Sequence, residues 1–365
     1  MKYILHIAAH LYIGGAEKVV RDICYYTDTA EYENHIIIFD EDIGVYGREL
    51  EAKGARIFKF SEPSRDYRQY YLGLKALMEQ YRYTAVHAHT MFSIGWVMLA
   101  AKKMHVPVRV SHAHSALMTE KRFIKSIYEF TMRKLILANA TDLVACGNKA
   151  GERLYGKKAF RKRGNLILNG IDTAAFRYSD VKRAAIREQL GLENHFVIGH
   201  TGHLAEVKNQ SFLIEMMPEL LKRHDNTVLL LLGEGEERPM LEEKIRTLGL
   251  QEKVIMTGNV NNVSDYLSAM DVFVFPSLYE GMPLSILEVQ ANGLPCVISD
   301  RVPPDVFLTD LIHPLSLDDP YAMWVDMICR VRRENPALYA EQMKEAGFDV
   351  LTAVEKIYRI YDRGI

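Results

Sequence analysis

Short runs of apolar and β-branched residues alternate along the chain with longer amphipathic stretches. The longer stretches have the apolar spacing of helices, for example at 16–26, 69–81, 94–104 and 123–138. A repeated strand-then-helix order predicts parallel strands joined by right-handed crossovers, with helices on both faces of a sheet. In the first half of the chain the short runs predict strands at 3–8, 35–39, 55–58, 85–89, 106–110, 143–146 and 165–168.

The same pattern starts again after a strong turn signal, Asn169-Gly170. A chain of 365 residues is also longer than one hydrophobic core usually organises. We therefore predict two doubly wound domains, 1–170 and 171–347, with ligands bound at the carboxyl ends of the strands in a cleft between them. A last helical stretch, about 348–365, is predicted to pack back on the first domain. The second set of predicted strands lies at 196–200, 228–232, 254–256, 272–275 and 295–298.

Composition excludes few classes of function and identifies one basic segment. A net charge of -2, with 48% hydrophobic and 25% charged residues, is typical of a soluble protein and gives no reason to expect a nucleic-acid partner. Seven basic residues against one acidic residue between 149 and 163 form a local basic segment. No apolar run reaches the roughly 18 residues of a membrane span. The opening residues lack a signal-peptide pattern, and the four well-separated cysteines are typical of reduced thiols. We expect a cytoplasmic protein that can lie against the inner face of the membrane.

The segment 276–295 carries the most informative motif, PSLYEGMPLSILEVQANGLP. Pro283 suits a first helical turn, so the backbone from Met282 to Leu284 is predicted to form an anion site at a helix N-terminus. Glu280 precedes this helix and Glu288 lies inside it. Carboxylates accept paired hydrogen bonds from the vicinal hydroxyl groups of a sugar. The alternative is that both glutamates are ordinary solvated residues.

Further candidates follow other predicted strands. Lys208 ends the segment Thr201 to Lys208 after the first strand of the second domain, where it could neutralise an anion or be a solvated lysine. Gly14-Gly15 lets backbone approach a ligand or makes a plain turn. The pair His112-x-His114 could bind a metal, but no third ligand is apparent in the sequence. Gly233-Glu234-Gly235 lacks the third glycine of a dinucleotide fingerprint, because position 238 is Arg.

Glu280 and Glu288 resemble the Glu-x7-Glu motif of the family 4 retaining glycosyltransferases, and the chain is most similar to the bacterial exopolysaccharide and capsule enzymes of that family. The resemblance implies an α/β fold of the GT-B class, with two Rossmann-like domains facing a cleft. It also implies transfer of a hexose from a nucleotide-diphosphate sugar, with UDP as the expected nucleotide. The implied acceptor is a glycan or a polyprenyl-diphosphate-linked glycan in cell-surface polysaccharide synthesis.

The family pattern assigns roles to individual residues. Glu280 would contact the transferred sugar, Glu288 the ribose, and Lys208 the diphosphate, where His203 replaces the usual arginine. Either His203 is charged beside the diphosphate, or the clamp depends on Lys208 and backbone donors. His114, favoured over His112, would face the sugar. The implied catalytic residues are His114, Glu280 and Lys208, and the implied donor-binding residues are Gly14, Gly15, His112, Gly202, His203, Val260, Gly281, Met282, Pro283, Leu284 and Glu288.

The resemblance implies no cofactor, since the nucleotide sugar is a substrate, and no metal, since no acidic Asp-x-Asp motif is present. Three other functions compete with it. A sugar-nucleotide epimerase shares the fold, and a nicotinamide-dependent oxidoreductase would need the glycine that Arg238 replaces. A non-catalytic sugar-nucleotide-binding subunit would explain why His203 departs from the family pattern.

Overall fold

The computed structural model describes residues 1–12, 14–63, 65–115 and 123–364. Within them, two parallel sheets organise two units, Met1–Gly170 with Val350–Ile365 and Ile171–Asp349. The strands are β1 Lys2–Ile7, β2 Tyr32–Ile38, β3 Arg56–Lys59, β4 Ala85–Ala88, β5 Val108–Ala113, β6 Asp142–Ala145, β7 Gly164–Leu166, β8 Phe196–Thr201, β9 Thr227–Leu232, β10 Val254–Gly258, β11 Val272–Phe275, β12 Cys296–Ser299 and β13 Ile312–Leu315.

The helices fill the intervals between these strands, as the amphipathic pattern predicts. They are α1 Gly15–Tyr25, α2 Gly44–Ala52, α3 Tyr67–Tyr81, α4 Ile94–Lys103, α5 Phe123–Asn139, α6 Asn148–Tyr155, α7 Lys157–Arg163, α8 Thr173–Phe176, α9 Asp180–Leu190, α10 Gln210–Arg223, α11 Arg238–Thr247, α12 Val263–Ala269, α13 Leu284–Ala291, α14 Tyr321–Arg330, α15 Tyr339–Glu345 and α16 Val350–Tyr361. Among the described residues, no helix is both long enough and apolar enough to cross a bilayer.

The first unit has a seven-stranded sheet in the order β3-β2-β1-β4-β5-β6-β7. One face packs against α3, α4, α5 and α6, and the other is covered by α1, α2 and α16. Residues Val350, Val354, Ile357 and Tyr361 of α16 are buried there, at the spacing of one helical face. The last helix therefore completes the core of the first unit.

The second unit has a six-stranded sheet in the order β10-β9-β8-β11-β12-β13. Strand β9 has the sequence TVLLLL and is buried at every position, because helices cover both faces of a parallel sheet. β9 lies on one side of β8, and β11, which comes later in the chain, lies on the other side of β8. The order of strands thus reverses between β8 and β11, where doubly wound folds bind ligands at the carboxyl ends of the strands.

Strand β13 has no counterpart among the predicted strands, and helix α2 fills an interval whose own helical pattern is weak. Strand β13 has the sequence IHPL and lies at the edge of its sheet, where a proline is tolerated because one side of the strand needs no partner. Helix α2 carries two glycines, which weaken any helical pattern. Strand β5 also begins and ends later than predicted, which brings His112 inside the strand.

Candidate functional site

A cavity of about 410 Å³ lies in the second unit, at the carboxyl ends of β8 and β11. These two strands flank the point where the strand order reverses. Most of the residues that the sequence suggests for this unit line the cavity. Among the described lining residues, the cationic side chain is that of Lys208. Its lining is Thr201, Gly202, Lys208, Leu232, Gly233, Asn259, Val260, Val263, Glu280, Met282, Pro283, Leu284, Ser285 and Glu288.

Lys208 and Glu280 form an ion pair inside this lining. Lys208 Nζ donates to Glu280 Oε1 at 2.7 Å, and the two side chains are only 19% and 11% exposed. The ammonium also lies 5.2 Å from the ring centroid of Phe275. An ammonium group has three donors, so Lys208 can hold Glu280 and an anionic ligand at the same time.

Hydrogen bonds to backbone carbonyls fix the loops that carry this pair. Leu278 N–H donates to the carbonyl of Val207 at 2.8 Å, and Asn209 Nδ2 donates to the carbonyl of Pro276 at 3.2 Å. Asn209 adopts a left-handed conformation (φ 54°), which asparagine tolerates better than most residues. The loop after β8 is therefore tied directly to the loop after β11, and the ion pair is held by backbone as well as by charge.

The N-terminus of α13 forms another part of the cavity wall. Its N-cap is Pro283, which provides no side-chain cap, and Leu284 and Ser285 of the first turn line the cavity. The first N–H groups of a helix have no intrahelical acceptor and attract anions. Because proline has no N–H, the donors here belong to Met282, Leu284 and Ser285. Glu288 lies one turn after Leu284 and also lines the cavity.

The Gly233-Glu234-Gly235 segment brings the loops after β8 and β9 together. A Cβ atom at Gly233 would overlap the carbonyl oxygen of Gly202, and the φ of 134° at Gly233 also favours glycine. Leu204 N–H then donates to the carbonyl of Glu234 at 2.8 Å. These glycines serve loop packing at the edge of the cavity, in agreement with the weak match to a dinucleotide fingerprint.

In the first unit, Gly14 is the N-cap of α1 and Gly15 is its first residue. Ile13, which precedes them, lies outside the described residues. A Cβ atom at Gly15 would meet no described atom within 4 Å, so packing does not require glycine there. The backbone at this helix start is open to a ligand, while its role toward a nucleotide sugar stays a prediction.

A layer of histidines covers part of one face of the first sheet. His112 Nδ1 lies 3.1 Å from His87 Nε2, and His114 Nε2 lies 2.8 Å from His89 Nδ1. Burial is the main cause that lowers the pKa of each ring: well below the usual value for His87, His89 and His112, and to about 4 for His114. The four imidazoles are therefore neutral near pH 7. Tyr361 of α16 reaches the same layer, 2.6 Å from His87 Nδ1.

Comparison with known proteins decides the family. The model "Glycosyltransferase Family 4" matches residues 13–175, and the model "Glycosyl transferases group 1" matches residues 182–328. EpsF of Bacillus subtilis (strain 168), named as a glycosyltransferase, is 32% identical over 373 residues, which cover 99% of this chain and 96% of EpsF. The chain belongs to the family 4 glycosyltransferases.

Two other relatives of this family 4 glycosyltransferase are informative. The UDP-Gal:alpha-D-GlcNAc-diphosphoundecaprenol alpha-1,3-galactosyltransferase of Escherichia coli is 29% identical over 63% of this chain and 61% of its own length. The crystal structure of Anabaena Alr3699/HepE in complex with UDP has a TM-score of 0.77 at 20% identity and covers both chains completely. HepE has also been crystallised with UDP-glucose. The structural likeness shows the shared fold, which is of the GT-B class.

Two residues of the second unit that the family resemblance assigns do not line the cavity. His203 points to solvent, where its Nε2 lies 2.7 Å from Glu236 Oε2 and the two side chains are 63% and 67% exposed. The His203 carbonyl, in contrast, accepts a hydrogen bond from the buried Gln210 side chain at 2.9 Å. Gly281 is exposed, and a Cβ atom there would meet no described atom within 4 Å. In this family 4 glycosyltransferase, the cation at the cavity is therefore Lys208.

We expect His203→Ala to change the rate of sugar transfer by less than about threefold, because an exposed ion pair contributes little and the side chain is directed away from the cavity. The measurement is kcat/KM for the donor across pH 6 to 9, with the parent chain assayed in parallel. A loss of more than about tenfold that is greatest at low pH and shrinks as the pH rises would instead place a charged His203 on the diphosphate.

Several residues of the site escape sequence reasoning in this family 4 glycosyltransferase. Thr201 and Ser285 also line the cavity, and their only signal is their position at the end of a strand and at a helix start. His89 completes a histidine group with His112 and His114. Its signal is a second His-x-His pattern, His87-x-His89, at the end of the neighbouring strand β4.

Proposed function

We propose that this chain is a retaining glycosyltransferase that moves a hexose from a UDP-sugar to a glycan or lipid-linked acceptor in the synthesis of a cell-surface polysaccharide. The observation that carries the proposal is the Lys208–Glu280 ion pair beside the N-terminus of α13 in one cavity. A cation and helix amide groups suit a diphosphate, and two carboxylates suit the hydroxyl groups of a sugar and a ribose.

The proposed reaction breaks the bond between the anomeric carbon and the diphosphate oxygen, which leaves with the electron pair. Negative charge then grows on the leaving group, and Lys208 with the first-turn amides of α13 stabilises it more as the bond lengthens. The acceptor hydroxyl attacks the same face of the sugar, and its proton passes to the leaving oxygen. Because these groups supply the positive field, the proposed step uses no metal ion.

The choice of UDP is supported by the relatives. HepE, with the same fold, binds UDP and UDP-glucose, and the Escherichia coli relative carries UDP-Gal and a diphosphoundecaprenol acceptor in its name. Asn259 and Val260 also line the cavity, and we propose that they contact the nucleotide base. A lipid-linked acceptor is proposed on the same basis.

The test combines donor binding with turnover. UDP, UDP-glucose and UDP-galactose are expected to raise the melting temperature, with GDP and ADP sugars as comparison, since a ligand at 100 times its Kd stabilises by about 2.7 kcal/mol. Incubation of the bound donor with lipid-linked acceptors, followed by NMR of the fresh product, should show an unchanged anomeric configuration. Binding without turnover would favour the non-catalytic subunit, and isomerised donor would favour the epimerase.

The basic segment 149–163 supports a proposal of contact with the membrane. Its lysines at 149, 157, 158 and 162 are exposed on α6 and α7, whereas Arg153 pairs with Glu129 at 2.7 Å. The neighbouring helix α5 exposes three large apolar side chains, Ile127, Tyr128 and Phe130. Basic and apolar side chains on adjacent helices suit an anionic lipid surface.

Co-sedimentation with vesicles tests this contact. We expect binding to phosphatidylglycerol vesicles at low salt, weaker binding at high salt, and little binding to phosphatidylcholine, because the attraction is largely electrostatic. The double variant Lys157→Glu/Lys158→Glu should bind at least about 30-fold more weakly, because each of the two basic residues lost contributes about 1 kcal/mol. Lys222→Glu/Lys344→Glu, two exposed lysines of the second unit, is the matched control. Equal loss in both variants would show that net charge alone is responsible.

A further inference from the structure

Two neighbouring strands of the first unit end in the same His-x-His pattern. His87 and His89 belong to the end of β4, and His112 and His114 to the end of β5. The strands are parallel and pair Ala88 with Ser111, so the side chains of His89 and His112 fall at the same level of the sheet. Alternate residues of a strand point to one face, which gathers all four rings on the face covered by α16.

Three of these rings come close enough to share one ion. His89, His112 and His114 each offer one nitrogen within 4.8 Å of a nitrogen of both others. The ring centroids of His112 and His114 are 4.1 Å apart, and those of His89 and His114 are 5.1 Å apart. His114 is partly exposed at the end of the strand, which gives an ion a route to the group.

The hydrogen bonding of this group is incomplete. In the described part of the chain, His89 Nε2, His112 Nε2 and His114 Nδ1 are buried and have no hydrogen-bond partner. Buried polar atoms are normally satisfied, and those that are not often mark an absent ion or ligand. His89 and His114 face each other through Nδ1 and Nε2, so of the three unpaired atoms it is His112 Nε2 that an ion shared with this pair would engage. The other possible group, His6 with His87 and His89, is less suitable because both His87 nitrogens are already engaged, by Tyr361 and His112.

We propose that His89, His112 and His114 form a binding site for a transition-metal ion that prefers imidazole ligands, with zinc(II) as the first candidate. A set of neutral imidazoles without carboxylates favours zinc, nickel or copper over magnesium or calcium. Three protein ligands leave the fourth position of a tetrahedral ion open to water or another small ligand.

The protons balance without an added base. One proton lies between His89 Nδ1 and His114 Nε2, which are 2.8 Å apart. An ion between them replaces this hydrogen bond, and the donor ring shifts its proton to its other nitrogen. Two nitrogens bound to one tetrahedral zinc lie about 3.3 Å apart, so the pair has to open by only about 0.5 Å.

His112 is oriented by a chain of hydrogen bonds, as is common for histidines that bind metals. Its Nδ1 lies 3.1 Å from His87 Nε2, and His87 Nδ1 lies 2.6 Å from the hydroxyl of Tyr361. When His112 Nδ1 donates to His87, the lone pair of His112 Nε2 is free for the ion.

This site goes beyond the proposed glycosyl transfer, and its test uses no nucleotide sugar, so the two proposals fail separately.

The experiment measures metal binding directly. The full chain is treated with chelator, dialysed, and titrated with zinc near neutral pH by calorimetry, and with cobalt(II) to obtain the absorption spectrum of the site. We expect one ion per chain and a tetrahedral cobalt spectrum. His89→Asn, His112→Asn and His114→Asn should each weaken binding by more than about tenfold.

The control is His105→Asn, which removes an exposed histidine of the same unit from a left-handed position (φ 58°) that asparagine accepts. It should bind zinc like the parent chain. Circular dichroism checks that each variant is folded, and His114→Asn carries the test if the more buried variants do not fold. Zinc binding that survives His114→Asn, or that is lost with His105→Asn, would overturn the site.

Discussion

Glu280→Gln is expected to lower kcat for sugar transfer by about 100- to 1000-fold while the protein remains folded. Glutamine keeps the size of the side chain and still offers an oxygen to Lys208, which now lies 2.7 Å from the carboxylate. It removes the negative charge that would stabilise positive charge at the anomeric carbon as the donor bond breaks. Because that interaction strengthens toward the transition state, kcat should fall more than donor affinity.

The matched control for this variant is Glu236→Gln. Glu236 is also a loop glutamate with a nitrogen partner, His203 Nε2 at 2.7 Å, but it is 67% exposed and does not line the cavity. Its replacement should alter kcat by less than about twofold. Turnover by Glu280→Gln equal to that of the parent chain would remove Glu280 from the reaction and with it the central support for the proposed mechanism.

Lys208→Met is expected to impair both donor binding and transfer. Methionine preserves an unbranched side chain but removes the ammonium group, which lies 5.2 Å from the ring centroid of Phe275. A hydrogen bond to a charged group is worth about 1.5–3 kcal/mol, so affinity for UDP should fall by about 10- to 150-fold. The loss in kcat should be larger still, since charge on the leaving diphosphate grows during the reaction. Donor affinity is measured by calorimetry and kcat by release of UDP.

Lys208→Met also leaves Glu280 without its cation, so stability must be followed in parallel. Thermal unfolding of Lys208→Met and of the double variant Lys208→Met/Glu280→Gln separates this effect from binding: removing the unpaired carboxylate should recover stability but not affinity. Lys222→Met, at an exposed position of α10, is the control for loss of a lysine. Undiminished UDP affinity in Lys208→Met would show that the diphosphate lies elsewhere.

The periodicity of the sequence predicts most of the fold because both sheets are parallel and covered on both faces. Strands such as β9 and β11 are then continuous apolar runs that stand out from the amphipathic helices. β13 lacks this signal because it lies at a sheet edge and contains Pro314. α2 lacks it because Gly44 and Gly47 dilute its helical pattern.

The sequence predicts the part of the candidate site that lies within one segment. It predicts less well the contacts between residues that are distant along the chain. Residues 276–295 alone predict the N-terminus of α13, with Glu280 before the helix and Glu288 inside it. The contact between Lys208 and Glu280 joins residues 72 positions apart and depends on β8 lying beside β11. His203 lies within five residues of Lys208, yet its side chain pairs with Glu236 in solvent, a direction that spacing alone does not determine.

The position of α16 has a consequence for synthesis and for engineering. Residues 350–361 complete the core of a unit whose other part ends at Gly170. During translation the first unit therefore stays without its final helix until the whole second unit has been made. A chimera that is to exchange sugar specificity should replace 171–349 as an internal insert and keep the native tail, because a simple fusion after Gly170 would pair the first sheet with a foreign helix.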